Sequence, residues 1–318
     1  MGRADGFDES EIERRLRAHV DLLAGVIGER NAWRRPGALE GAARYIEDQF
    51  RAMGYEPGAQ RFMAKGYSPD SMQFAADEAE VRNIEVEIRG ERRPGRVWVI
   101  GAHYDTVDGS PGADDNTSAV AGLLEVGRMM RGLRLRDTLR LVAFVNEEPP
   151  YYKGDQMGSL VYARRCKERR EDVRGMVNLE MLGCYSDEPG SQLYPPPLDR
   201  GWWNKWLPKR GNFVAFAGNL GSWWLTRRCR KLFKREVTFP SMWVAAPGRL
   251  KNLIGMSDHW SFWEQGYKAV MVTDTAFLRY RHYHKESDTP EKLDYARMAT
   301  VVRGVGGVMG GLVGARPR

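Results

Sequence analysis

The stretch IGAHYDTVDGSPGADDNTSA, residues 100–119, decides the fold, because it hands a buried strand over to a helix and puts His103, Asp105 and Asp115 at that junction. Residues 97–100, VWVI, are a continuous apolar run, the pattern of a strand covered on both faces in a parallel or mixed sheet. His103 and Asp105 therefore lie just past its carboxyl end. Two residues apart in extended chain, they point the same way, so Asp105 can accept a hydrogen bond from one imidazole nitrogen while the other nitrogen faces a metal. Residues 108–113 are rich in glycine and proline and read as a loop. The next helix is expected to begin near residues 116–118, with Ala119, Val120, Leu123, Leu124 and Met130 as its apolar side. Asp115 then stands at a helix N-terminus, where the dipole favours negative charge.

Three further apolar runs end in the same way. Residues 138–145 deliver Asn146, Glu147 and Glu148, residues 175–179 deliver Glu180, and residues 269–272 lead into a segment that finishes on Tyr283 and His284. Ligands of open α/β sheets bind beyond the carboxyl ends of the strands, so four such ends predict one convergent site. Ile12, Leu16, Val20, Leu23 and Ile27 at helical spacing, a second helix over 37–53 and a third over 156–169 supply outer layers. A last helix is expected from Asp288, Thr289 and Pro290 through Val308. With residues 82–88 as a half-buried strand, the expected architecture is a three-layer α/β/α sandwich around a central mixed, largely parallel sheet. A single domain is expected over 1–318, with 185–256 as an insertion or lid within it.

Composition narrows the function. At 318 residues and 42% apolar content the chain can bury a sizeable core. It has no apolar run of membrane-spanning length and a polar start, so a cytoplasmic location is expected. Cys166, Cys184 and Cys229 lie far apart without a CxxC spacing, which argues against a disulfide framework or a thiolate metal site. The net charge of +7 arises from interleaved charges of both signs, so neither a nucleic acid nor a membrane is expected as partner. Nothing in this pattern sets the oligomeric state. Residues 200–235 break the pattern, with ten Lys and Arg, five Trp and no acid. Trp223, Trp224, Leu225, Leu232 and Phe233 at helical spacing read there as an amphipathic helix packing on the domain.

His103, Asp115, Glu148, Glu180 and His284 form the candidate ligand set: two imidazoles, three carboxylates and no thiolate. That chemistry suits zinc, with cobalt or manganese as substitutes. Two metals that share one carboxylate need about five protein ligands when water fills the remainder. Glu147 is adjacent to Glu148, and neighbouring side chains in extended chain diverge, so one can ligate while the other stays free as a general base. No HExxH, GxSxG or P-loop competes.

The segments HYD, GADDN, NEEPP, NLEMLG, SDHWSFW and YHKESDTPEKLD, in this order over roughly residues 30–310, resemble the M28 family of co-catalytic dizinc peptidases, in its bacterial aminopeptidase branch. The resemblance implies two zinc ions per chain, with His103 and Glu180 on one, Glu148 and His284 on the other, and Asp115 bridging. It implies Glu147 as the catalytic base, Asp105 as the acid behind His103, Tyr283 as donor to the polarised carbonyl, and a cis peptide between Asp115 and Asn116. The implied reaction is hydrolysis of the first peptide bond of a peptide or aminoacyl substrate by a water held between the zincs. Glu180 departs from the Asp of many relatives. Phe239, Trp243, Met256 and Phe277 are expected to wall an apolar side-chain pocket. Two alternatives share this framework: a single-zinc acyltransferase of the glutaminyl cyclase type, and a carboxypeptidase or dipeptidase in which Arg279 or Arg281 reads a substrate carboxylate.

Overall fold

A computed structural model of the chain describes residues 8–68, 71–247 and 251–317. In chain order its helices and strands are α1 (Glu9–Val20), α2 (Pro36–Ala52), β1 (Gly58–Ser68), β2 (Gln73–Ile88), β3 (Arg93–His103), α3 (Ala119–Met130), β4 (Asp137–Phe144), α4 (Gly158–Glu168), β5 (Asp172–Glu180), β6 (Val214–Asn219), α5 (Trp223–Glu236), β7 (Ser241–Ala246), α6 (Lys251–Ile254), α7 (His259–Glu264), β8 (Ala269–Thr273) and α8 (Tyr295–Val313). The eight strands form one sheet in the order β1-β2-β4-β3-β5-β8-β6-β7. The four central strands β4, β3, β5 and β8 are mutually parallel, and the sheet turns antiparallel on either side, at β2 and at β6.

Alternation along the central strands decides which helix covers which face. Trp98, Ile100 and Ala102 of β3, with Leu139 and Leu141 of β4, pack with residues of α1, α2, α3, α5 and α8. Val97 and Val99, with Val142 and Phe144, face Tyr162 and Ala163 of α4 and Phe262 of α7. Both faces of these strands are buried, which is why their sequences read as continuous apolar runs. The result is the expected three-layer α/β/α sandwich with a mixed sheet.

Three strands were not legible as such. β1 and most of β2 form a long antiparallel arm whose outer residues are exposed, so no buried run marks it. β6 and β7 come from the 185–256 segment, which is woven into the sheet: α5 packs its Leu225, Cys229 and Phe233 against the core beside α8. The last helix also starts later than expected. Asp294 caps α8 by accepting from the Arg297 amide at 3.0 Å, while Pro290–Lys292 make a separate short turn. Asp288 is not available as a cap because its carboxylate is engaged at the site.

Candidate metal centre

The parallel strands β3, β4, β5 and β8 end on the same edge, and each end carries a sharp turn that aims a side chain inward. Asn146, Met181 and His284 adopt left-handed backbone with φ of 59°, 49° and 56°. Such conformations cost a non-glycine residue about 1–3 kcal/mol each and persist only where the surroundings hold them. Between β3 and α3 the chain makes a widened turn, Ala113–Ser118, in which Asp115 and Asn116 are non-helical and joined by a cis peptide, as the resemblance implied. Gly112, with φ of 65°, starts this turn, and a Cβ there would collide with the Asp115 carbonyl and the Thr106 methyl.

Side chains from four strand ends meet at Asp115. Its Oδ1 lies 3.4 Å from His103 Nε2, and its Oδ2 lies 3.1 Å from His284 Nε2. Glu148 Oε1 is 3.3 Å from His284 Nε2 and Glu180 Oε2 is 3.7 Å from His103 Nε2. Overlapping groups result, His103 with Asp115 and Glu180, His284 with Asp115 and Glu148, and His103 with Glu147 and Glu148, in each of which the donor atoms approach closely enough to hold one ion. All five sequence-predicted ligands are thus brought together. Glu147 Oε2 lies 3.8 Å from His103 Nε2, at the edge of the first group. Glu180 is braced by the Ser257 hydroxyl at 2.5 Å and the Asn116 amide at 3.3 Å, so its longer side chain is held in one direction.

The donor chemistry fits a cation. Among the described residues no hydrogen-bond partner reaches the buried His103 Nε2, His284 Nε2 or Glu148 Oε1, which all face one another. Burial drives the Glu148 carboxyl up to about 7 with the Asp115 charge adding, although His284 opposes, and burial drives Glu147 well above its ordinary range. Burial also opposes ionisation of Asp115, but the facing His103 and His284 imidazoles outweigh it and keep that group well below the usual carboxylate value. Burial alone would lower both imidazoles. Facing acids reverse this, raising His103 strongly and His284 to about 10. The acids and imidazoles compete for protons in place of a cation.

Asp105 does more than stand behind the imidazole. Its carboxylate oxygens accept from the backbone amides of Glu147 (3.1 Å) and Glu148 (3.0 Å), while its main-chain carbonyl accepts from His103 Nδ1 at 3.2 Å and its carboxylate stays 3.5 Å away. Tyr283 stacks its ring on His284, with centroids 3.8 Å apart.

The sequence model of peptidase family M28 matches residues 83–309. The chain belongs to peptidase family M28. It is similar to the uncharacterized Escherichia coli protein YfbL, 38% identical over 220 residues that cover 66% of this chain and 65% of that protein's length. Its fold is similar to that of a zinc aminopeptidase from Bacillus subtilis, with a TM-score of 0.71, 16% identity and 95% of each chain covered. It is also similar to that of a glutaminyl cyclase from Fimbriiglobus ruber, with a TM-score of 0.66, 18% identity and coverage of 97% and 96%.

Several residues that shape this M28 site were not found by sequence reasoning. Arg30 is fully buried and donates to the carbonyls of Tyr104 (2.6 Å), Pro111 (2.9 Å), Gly28 (3.0 Å) and Leu23 (3.2 Å) and to Thr117 Oγ1 (2.5 Å). Burial lowers its guanidinium to about 10, and the charges of Asp105, Asp288 and Asp115 oppose that loss. Asp288 accepts from the amides of Asp114 (2.9 Å) and Asp115 (3.1 Å) and from the Tyr280 hydroxyl (2.8 Å), fixing the turn that carries the shared carboxylate. Tyr152, beyond the two prolines, turns a buried hydroxyl with no partner among the described residues toward the Glu147 region.

The remaining histidines take other partners. His19 bonds to Tyr45 and His282 to Ser287, both outside the ligand group. His259 bonds to the Ile254 carbonyl at 2.6 Å, and burial lowers it to about 4. Of the expected pocket walls, Phe277 packs beside Tyr283 and Met256 adjoins Ser257, both exposed. Phe239 instead packs on Tyr185, and Trp243 turns outward on β7 toward Arg227. These two are corrected: alternation on the edge strand points Trp243 away from the ligands.

Proposed function

We propose that this chain is a zinc-dependent aminopeptidase that binds two zinc ions and hydrolyses the first peptide bond of a peptide or aminoacyl substrate. The observation that carries the reading is Asp115, whose two oxygens each address a different imidazole–carboxylate group. His103 and Glu180 would hold one ion, His284 and Glu148 the other, with Asp115 common to both. Bound zinc supplies Lewis-acid polarisation of a carbonyl and lowers the pKa of water. Glu147, which the ligand count leaves free, takes a proton from the attacking water and returns it to the departing amine. Tyr283 contributes a hydroxyl beside His284 for hydrogen bonding to the substrate carbonyl. Glu147 and Glu180 supply the negative charge that attracts a free α-amine, and this holds only the first peptide bond within reach. Met256 and Phe277 border the place of the first side chain. Ser257, the residue that follows the 185–256 segment, borders the site through its hydroxyl bond to Glu180.

The carboxypeptidase alternative loses support from Arg279. Its guanidinium donates to Gln192 Oε1 (2.7 and 3.0 Å) and to the carbonyls of Phe213 (2.9 Å) and Cys184 (3.2 Å), which leaves it little capacity for a substrate carboxylate. The test is metal analysis together with hydrolysis of leucyl amides and their N-acetylated counterparts. Two zincs per chain and cleavage confined to free amines are expected. Equal rates on both substrates would overturn amine recognition, and one zinc with cyclisation of N-terminal glutamine would move the reading to the glutaminyl cyclase class.

A further inference from the structure

The outer face of α5 is unlike the rest of the surface. Six Lys and Arg between Arg227 and Arg235 line a groove of about 890 Å³ together with Trp223, Trp224 and Trp243. Among the described residues none of the six cations pairs with a carboxylate; Arg230 spends its Nε on the Ser241 carbonyl at 2.9 Å. Elsewhere arginines find acids readily, as in Arg14 with Glu11 (2.6 Å), Arg51 with Asp48 (2.7 Å) and Arg134 with Glu91 (2.7 Å). The indoles are presented to solvent: Trp223 is 46% exposed and Trp224 49%, and Leu220, just ahead of the helix, is 54% exposed. Arg227 lies 5.5 Å from the Trp223 ring and 5.8 Å from that of Trp243, and Arg228 lies 5.1 Å from that of Trp224. The opposite side of the helix, through Leu225, Cys229 and Phe233, is buried, so the outer face is held rigidly.

We propose that this face docks the protein on a membrane surface rich in anionic phospholipid. Unpaired cations complement lipid phosphates, and each Lys or Arg near such a surface raises affinity about fivefold. Tryptophan partitions to the headgroup level of a bilayer. Leu220 separates this partner from single-stranded nucleic acid, because an aliphatic side chain neither stacks on a base nor bonds to a phosphate, whereas it enters the acyl boundary. A second copy of the chain is disfavoured, since a two-fold axis at this patch would bring the same six cations face to face.

The topology gives the docked protein an orientation. β6 runs opposite to β8, with Ala215 beside Thr273 and Gly218 beside Val270. Leu220, Trp223 and Trp224 therefore follow from the end of the sheet away from His103, Glu180 and His284. Docked through them, the protein turns its ligand cluster toward water, where soluble peptides reach it.

The test is co-sedimentation of the full chain with vesicles of phosphatidylcholine, with and without phosphatidylglycerol, at low and high salt. Binding to the anionic vesicles alone, weakened more than tenfold by salt and accompanied by a blue shift of tryptophan emission, is expected. Lys231→Glu with Lys234→Glu should lower that binding by at least about tenfold, given the fivefold worth of each cation. Trp223→Ser with Trp224→Ser should weaken it and remove the shift. Both variants should keep wild-type metal content and melting temperature, and Lys231→Gln with Lys234→Gln provides a milder pair should the reversal disturb folding. No binding at low salt, equal binding to neutral vesicles, tighter binding to oligothymidylate than to vesicles, or self-association through this face would overturn the proposal.

Discussion

Replacing Asp105 by Asn separates two jobs that the structure gives to one residue. Asp105 is 2% exposed, and its two carboxylate oxygens hold the Glu147 and Glu148 amides at 3.1 and 3.0 Å. Asparagine keeps the shape and one acceptor but turns an NH₂ group toward the second amide. One charge-assisted hydrogen bond, worth about 1.5–3 kcal/mol, is lost, and a buried N–H left without an acceptor costs about 1–3 kcal/mol more. The expected destabilisation is therefore about 2.5–6 kcal/mol by chemical denaturation. His103 keeps the Asp105 carbonyl at 3.2 Å, so zinc affinity should fall by no more than about tenfold, the low end for loss of a ligand's support. The loop that carries Glu147 loosens instead, and misplacement of about 1 Å costs on the order of a hundredfold in rate. Zinc titration followed by kcat at saturating zinc resolves the two effects. A fall in zinc affinity beyond a hundredfold with kcat unchanged would show that the carboxylate orients the imidazole and does not brace the loop.

Glu147→Gln should retain both metals and lose about 10²–10⁴-fold in kcat, since it removes a proton acceptor without removing a ligand; a variant of undiminished rate would exclude Glu147 as the base. Zinc binding should release protons, because His284, raised to about 10, and His103 are protonated at neutral pH in the metal-free chain and must be neutral to ligate. Affinity accordingly rises with pH up to about 10, and calorimetry in buffers of different ionisation enthalpy counts the protons; affinity flat from about pH 6 to 8 would contradict the proton competition. Arg30→Met leaves four carbonyls and the Thr117 hydroxyl without their buried donor and should destabilise by about 3–5 kcal/mol. A change below about 1 kcal/mol in a denaturation curve would remove Arg30 from the structural core of the site.

What could be read from the sequence and what could not divides along a physical line. His103, Glu147, Glu148 and Glu180 follow apolar runs, and a strand buried on both faces leaves such a run with the ligand at its end. β1 and β7 are the outer strands, where partial exposure erases that signal, and β6, though buried, is only six residues long and built of Val, Ala, Phe, Gly and Asn, too short a run to stand out. Arg30 was invisible because its partners are mostly backbone carbonyls, which no residue type reports. Asp288 precedes Thr289 and Pro290 and so looked like a helix cap, although its carboxylate bonds to amides far away in sequence, at Asp114 and Asp115. The basic Trp-rich segment was legible as a helix with a packed side; that its other side is free of acids needed the structure, since Glu80, Glu91 or any other carboxylate is equally able to reach it on sequence grounds alone.

The same charges bear on how many ions the site takes. Asp105, Asp115, Glu147, Glu148 and Glu180 are all buried together, and Arg30 is the fixed cation buried behind them among the described residues. With both imidazoles neutral as ligands, five carboxylates against one guanidinium leave four negative charges in a region of low dielectric. One divalent cation leaves two of those uncompensated, and an uncompensated buried charge costs several kcal/mol. Two divalent cations cancel all four. Asp258 and Asp288, which burial raises to about 7 and which lie outside the ligand groups, are left out of this count, whereas Glu147 and Glu148, which burial also raises, are counted as charged because a bound cation beside them favours ionisation. Electroneutrality thus supports two ions where the donor count alone would also admit one, and it gives Glu147 a setting in which gaining a proton from water shifts the site by a single charge.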